Sequence, residues 1–177
     1  MILNEYLSEV VGAFIGDGCI STYKENDRER TVVLFTGHWK NDRTYYRTKL
    51  VPIIRKKIGG FRKTYHRMDD NTIRYVLCDK RIIPFFKKVG MPIGEKENFI
   101  RVPIEISNNK KFTKACIRGI FNTDGSVYSR YSKQYSRHAK VYHNYAVVQF
   151  KMKSSNVIRW IKNQLEDLGI KINRVTK

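Results

Sequence analysis

Two aspartates stand in matching surroundings in this sequence. Asp17 lies in the run Val10-Val11-Gly12-Ala13-Phe14-Ile15-Gly16-Asp17-Gly18, and Asp124 in Ile117-Arg118-Gly119-Ile120-Phe121-Asn122-Thr123-Asp124-Gly125. In each run a glycine stands five residues before the aspartate and another follows it directly, and the aspartates are 107 residues apart. A single Asp-Gly is most simply a turn at a helix end. A matched pair in a repeat is a candidate for chemistry. Two carboxylates brought together repel unless a proton or a cation joins them, and hard oxygen donors suit Mg2+, with Mn2+ as a substitute.

The elements that must position this pair can be read from the same repeat. Asn4 can cap a helix running to about Ile15, with Leu7, Val10, Val11, Phe14 and Ile15 at helical spacing. Asn108 or Asn109 can start a second, with Phe112, Ala115, Cys116, Gly119 and Ile120 on its apolar face. A mid-helix glycine costs about 1 kcal/mol relative to alanine. Gly12 and Gly119, at matching places, therefore predict two helix backbones in close approach about a pseudo-twofold axis, which delivers Asp17 and Asp124 side by side. Downstream, the β-rich Val32 to Phe35 answers Val147 to Phe150, and each is followed by a helical stretch, from Asn41 or Asp42 to Ile58 and from Ser155 to Leu168. Pro52 should kink or divide the first of these. A third strand is expected from Phe61 and from Ile170. The first copy adds a strand over Thr72 to Leu77 and a helix over about Lys80 to Lys88, and the second reaches Lys177 without these pieces. The reading gives halves at 1–90 and 108–177, joined by a linker at 91–107.

Charge narrows the partner. Of 177 residues, 35 are Lys or Arg against 16 Asp or Glu, a formal charge of +19, while 41% are hydrophobic, enough for a folded core. The stretch 125–165 holds no acid and interleaves its basic residues with tyrosines. Lysine and arginine meet phosphates and tyrosine packs on sugars or bases, so nucleic acid is the expected partner and a membrane is not. The longest apolar run near the N-terminus, Val10 to Ile15, falls far short of a membrane span, and the start lacks the basic segment of a secretory signal. Cys19, Cys78 and Cys116 form no C-x-x-C pair. The expectation is a cytoplasmic protein with neither a disulfide framework nor a zinc site.

The two runs around Asp17 and Asp124 resemble the paired LAGLIDADG motifs of the homing endonucleases, and the whole arrangement is similar to the single-chain, archaeal intron-encoded members of that family. The resemblance implies an α+β fold: two pseudo-twofold related αββαββα-type halves packed through the motif helices, antiparallel sheets forming a DNA-binding saddle, and here a truncated second half. It implies a monomer acting as a pseudo-dimer. The implied activity is hydrolysis of one phosphodiester on each strand of a long, asymmetric double-stranded DNA site, assisted by divalent metal. Asp17 and Asp124 become the implied metal ligands, with the backbone carbonyls of Gly16 and Thr123. Ile15 and Asn122 stand where the motif name has its first acid, a position that varies in the family. An intron RNA maturase, or a cleavage-silent nucleic-acid binder on the same scaffold, is the alternative.

Strand periodicity assigns the remaining candidates. With Val33, Phe35, Val148 and Phe150 facing the core, Leu34, Thr36, His38, Gln149, Lys151 and Lys153 face the DNA. By the resemblance, polar and basic residues near these strand ends assist catalysis, which points to Lys151 and Lys153, with Thr36 and His38 as counterparts in the first half. Each lysine reads equally well as a plain phosphate contact. DNA contacts are expected from Ser21, Tyr23, Lys24, Arg28 and Arg30 on the first hairpin. The next strands offer Arg62, Lys63, Tyr65, Arg67, Thr72 and Arg74. The second half offers Ser126, Tyr128, Arg130, Gln134, Arg137, Lys140, Tyr142, Asn144 and Gln149. Arginine and lysine suit guanine, asparagine and glutamine suit adenine. Trp39, Trp160, Cys19 and Cys116 are expected to pack.

Overall fold

The computed structural model describes residues 2–59, 63–67, 70–79, 81–96, 99–135, 140–173 and 175, and of the strand residues 63, 65, 131–135 and 140–144 it describes the backbone alone. Helix α1 (Glu5–Asp17) starts where the Asn4 side chain accepts the Leu7 N–H at 3.1 Å. Strands β1 (Gly18–Glu25) and β2 (Arg28–His38) form a hairpin whose tight turn places Asn26 and Asp27 at φ 48° and 58°, the left-handed region these two residue types tolerate. A helical stretch follows as α2 (Arg43–Tyr45), a wide π-type turn (Tyr46–Leu50) and α3 (Val51–Lys57). The expected division at Pro52 takes this form: the proline sits in the first turn of α3, where a missing N–H is tolerated. Strands β3 (Lys63–Arg67) and β4 (Thr72–Leu77) and helix α4 (Ile82–Lys88) complete the first half. A short helix α5 (Ile104–Ser107) interrupts the linker. Then come α6 (Lys110–Asp124), capped by Asn109 on the N–H groups of Lys111 and Phe112, β5 (Gly125–Tyr135), β6 (Lys140–Phe150) and α7 (Ser155–Asp167). The first sheet is antiparallel in the order β1-β2-β4-β3 and the second is the β5-β6 pair.

Helices α1 and α6 join the two units, and glycine is what lets them meet. A Cβ built on Gly12 would fall on the carbonyl oxygen of Cys116, and one built on Gly119 on the carbonyl oxygen of Glu9. The contact is reciprocal, backbone on backbone, as the spacing predicts. Beside it, the buried Glu9 carboxylate of α1 accepts from the Arg118 guanidinium of α6 at 2.6 and 3.0 Å and from the Tyr45 hydroxyl at 3.3 Å. Removing one partner of a buried pair leaves the other charge without compensation. Arg118→Ala should therefore destabilise the fold by about 2 kcal/mol, below the fully buried range because Arg118 is half exposed. A urea unfolding midpoint measures it, and an unchanged midpoint would mark the pair as ornamental.

The first half holds most of the core. Phe14 of α1 stacks on Phe86 of α4 with centroids 4.4 Å apart and meets Phe35 of β2 edge-on at 6.1 Å. Ile20, Val33 and Phe35 are fully buried beneath this cluster. Their register is repeated in the second half, where Gly125 pairs with Phe150 as Gly18 pairs with Phe35. The burial is not repeated. Val148, expected to face a core, is 64% exposed and its cross-strand partner Val127 is 61% exposed. Nothing equivalent to β4, β3 and α4 covers them among the described residues, and the strand expected from Ile170 does not form over the described residues 170–173. Of the two residues of this strand expected to face the core, Phe150 does pack inward, against Phe121 at 5.3 Å.

Candidate active site

Asp17 and Asp124 are the last residues of α1 and α6, so the glycine contact that pairs the helices also sets the carboxylates at one end of the pair. Both are half-buried. Burial pushes Asp17 up from the ordinary carboxylate range to about 7; a hydrogen bond from Tyr46 opposes this, and the charges of Asp124 and Asp42 add to it. Asp124 is raised too, chiefly by burial, with Lys96 pulling it down and Asp42 pushing it up. The Tyr46 hydroxyl donates to Asp17 Oδ2 at 2.7 Å, and burial together with the Asp17 charge pushes its phenol well up, so it remains a donor. Asp42 is a third acid near the pair that the motif pattern did not indicate. Its Oδ2 accepts the His38 backbone N–H at 2.5 Å.

Lys96 is the second residue that pattern reading missed. Its ammonium donates to the carbonyls of Phe14 and Ile15 at 3.1 and 3.0 Å and to the Gly16 carbonyl, at the point where α1 runs out of N–H partners. The linker brings it there by two anchors: Gly94 N–H bonds the Ile20 carbonyl of β1 at 2.8 Å, and Ile100, fully buried, bonds back to the Lys96 carbonyl at 2.8 Å. The Gly16 carbonyl, expected as a metal ligand, is thus already held by a cation. Thr123 turns its hydroxyl back along α6 to the carbonyls of Ile120 and Gly119.

A cleft of about 190 Å³ opens beside Asp124, lined also by Ile15, Gly16, Lys96, Ile100, Lys151, Met152, Lys153 and Ser154. Lys151 and Lys153 therefore come together with one aspartate, positioned by the Lys151 N–H on the Asp124 carbonyl at 3.0 Å and by the Ser154 cap of α7. Thr36 and His38 do not line it. His38 sits on the exposed end of β2, its ring in contact with the Asn71 amide at 3.1 Å and the Asn41 N–H at 3.4 Å.

Strand register sorts the expected DNA contacts. Ser21, Tyr23, Arg28, Arg30, Thr36, His38, Thr72, Arg74, Lys63, Tyr65 and Arg67 fall in one set of cross-strand rows, on the face opposite Ile20, Val33, Phe35 and Ile73. Lys24 does not: it pairs with Glu29 in the row of Ile20, because period two sends every second residue to the other face. In the second sheet Ser126, Tyr128, Arg130, Gln134 and Gln149 share a face, whereas register puts Lys140, Tyr142 and Asn144 in the other set of rows, with Val127 and Val148. Arg62 and Arg137 lie outside the described residues. Trp39 packs as expected, stacked on His66 at 3.7 Å, and the Trp160 indole N–H bonds the Ser107 hydroxyl at 2.9 Å. Cys116 is fully buried and Cys19 half-buried.

Could this pair hold a metal? Among the described residues no group of three or more His, Cys, Asp or Glu gathers as a ligand cage. What the helix ends offer is two half-buried carboxylates with raised proton affinity, close enough for their charges to interact. Mg2+ is commonly held by one or two carboxylates, keeping waters and substrate phosphate oxygens for the rest. The donor set fits an ion of that type.

Two halves joined through glycine-packed helices beneath antiparallel sheets define an α+β architecture with internal pseudo-symmetry. It is the fold of the LAGLIDADG homing endonucleases. The chain superposes on I-DmoI in complex with DNA and Mn with a TM-score of 0.57 at 14% identity, covering 93% of this chain and 78% of that one. It superposes on the LAGLIDADG meganuclease I-AabMI bound to uncleaved DNA with a TM-score of 0.59 at 12% identity, covering 93% and 73%. Neither a protein-family signature nor a curated protein matches the sequence. Among the described residues no helix is long and apolar enough to cross a membrane.

Proposed function

We propose that this chain is a LAGLIDADG homing endonuclease: an intron-encoded, metal-dependent enzyme that hydrolyses one phosphodiester on each strand of a long, asymmetric DNA site. It acts as a monomer whose halves, 1–90 and 108–177, stand in for the two subunits of a dimer. The observation that supports this most is the meeting of Asp17 and Asp124 at matched ends of two helices in backbone contact, each helix running directly into a strand of a sheet whose rows carry arginine, lysine and tyrosine.

In this reading Asp17 and Asp124 hold the ion, Mg2+ by preference. A bound ion would lower the pKa of its water, making hydroxide more available for attack, and would offset charge building on the phosphate. The protein's own part is positioning. The α1–α6 contact fixes the two carboxylates, Lys151 and Lys153 steady a phosphate at the Asp124 cleft, and Lys96 fixes the end of α1 while placing a positive charge beside both acids. Arg28, Arg30, Arg74 and Arg130, on the strand faces, meet the DNA and set where it lies.

The test is a supercoiled plasmid carrying the rejoined exon junction of the host gene, incubated with protein and Mg2+ or with EDTA. Linearisation at one site, abolished by EDTA, is expected. Intact plasmid together with tight binding of the intron RNA would overturn the nuclease reading in favour of a maturase. On the same substrate Lys96→Met should slow cleavage about a hundredfold, the usual cost of one preorganised charge, while DNA retention on a filter changes little. An equal loss of retention and cleavage would reduce Lys96 to a DNA contact.

A further inference from the structure

We infer that Tyr46 is a positioning residue for Asp17, its phenol holding one carboxylate oxygen so that the other is presented to the cation, and that the matching positions of the second half offer Asp124 no such donor. The inference rests on the reading of Asp17 and Asp124 as metal ligands and names what makes them unequal.

The geometry is built for this contact. The Tyr46 hydroxyl reaches Asp17 Oδ2 at 2.7 Å from a side chain that is fully buried. Its ring lies parallel to Tyr75, centroids 5.1 Å apart and planes within 10°. On its edge, Gly37 of β2 leaves the space it occupies, since a Cβ there would lie 2.6 Å from Tyr46 Cε2. The wide turn Tyr46–Leu50 opens the helix at the residue that carries the phenol, and extra-residue turns of this sort recur at functional sites. Packing alone would be served equally by phenylalanine. The hydroxyl is the part that needs an acceptor, and its acceptor is Asp17.

The repeat shows the asymmetry. Phe35 and Phe150 occupy the same register opposite Gly18 and Gly125. Tyr46 is eleven residues after Phe35, and eleven after Phe150 is Ile161. Counted instead from the helix caps, Asp42 and Ser154, the fourth residue is Tyr46 in one half and Ile158 in the other. Neither isoleucine can donate a hydrogen bond. Partners that orient a ligand commonly govern metal affinity tenfold or more, so Asp17 is the preorganised member of the pair.

The test is binding of Mn2+ by the free protein, read from the loss of the free-ion electron paramagnetic resonance signal, beside thermal melting. Tyr46→Phe should melt within a few degrees of wild type yet bind Mn2+ about tenfold more weakly. Tyr75→Phe, which removes the neighbouring hydroxyl, should bind as wild type does. Unchanged affinity in Tyr46→Phe, or an equal loss in Tyr75→Phe, would overturn the inference. Wild type binding no Mn2+ would overturn the metal-ligand reading itself, and this inference with it. A second measurement reads wild type itself: in protein carrying 13C-labelled tyrosine, Mg2+ should shift the Cζ resonance that is missing from Tyr46→Phe, and an unmoved resonance would overturn the inference.

Discussion

Asp17→Asn and Asp124→Asn should each abolish double-strand cleavage, by about a thousandfold or more, while salt-sensitive DNA binding survives. Asparagine keeps the shape of the side chain, and the Tyr46 hydroxyl still finds an oxygen, so the helix ends stay in place. What disappears is the negative charge that, under the proposed function, would hold a divalent ion. The metal-free protein should respond in the opposite direction. Both carboxylates are disfavoured as anions by burial, and Asp17 also by the charges of Asp124 and Asp42. Removing one charge relieves that cost, so either variant should melt higher than wild type in EDTA and lose most of the stabilisation that Mg2+ gives wild type. Calorimetry with and without Mg2+, beside the plasmid assay, checks both signs. A variant that still linearises the plasmid would remove that aspartate from the mechanism.

Gly12→Ala and Gly119→Ala come next in expected effect. In an isolated helix each change would gain about 1 kcal/mol, because alanine is the better helix former. Here the new methyl meets a carbonyl oxygen of the partner helix, from Cys116 in one case and Glu9 in the other. Backbone cannot rotate aside as a side chain does, so the helices must separate. Overpacking of this kind costs about 1–3 kcal/mol, and more where the obstacle is rigid. The net expectation is a destabilisation of up to about 2 kcal/mol for each variant, together with a larger loss of cleavage, since Asp17 and Asp124 move apart with the helices that carry them. Urea unfolding and cleavage rates measure the two parts. A variant more stable than wild type would show that propensity outweighs the contact and that the helices lie further apart.

Much of this arrangement is written in local pattern. Asn4 and Asn109 announce helix starts through side-chain caps, the apolar spacing of α1 and α6 announces their buried faces, and Gly12 and Gly119 are costly enough in a helix to announce a close contact. The strands β2 and β4 follow from β-branched runs, and Asp17 and Asp124 stand out because the repeat matches them. All these signals act within a few residues or recur in both copies.

Tertiary structure decided the rest, because it depends on contacts between segments that carry no shared pattern. Lys96 lies in a linker between two glutamates, and only the anchors at Gly94 and Ile100 bring its ammonium to the end of α1, eighty residues back along the chain. Tyr46 reaches Asp17 because a wide turn and the absence of a side chain at Gly37 let its ring enter the core. The face on which Lys24 falls is fixed by register with Glu29, which a single strand does not reveal. Val148 has the periodicity of a core residue and is exposed, since periodicity reports which face a residue shares and not whether anything covers that face. Local pattern is enough to place the paired helices and their acids; which side chains gather around those acids depends on where distant backbone is free to come close.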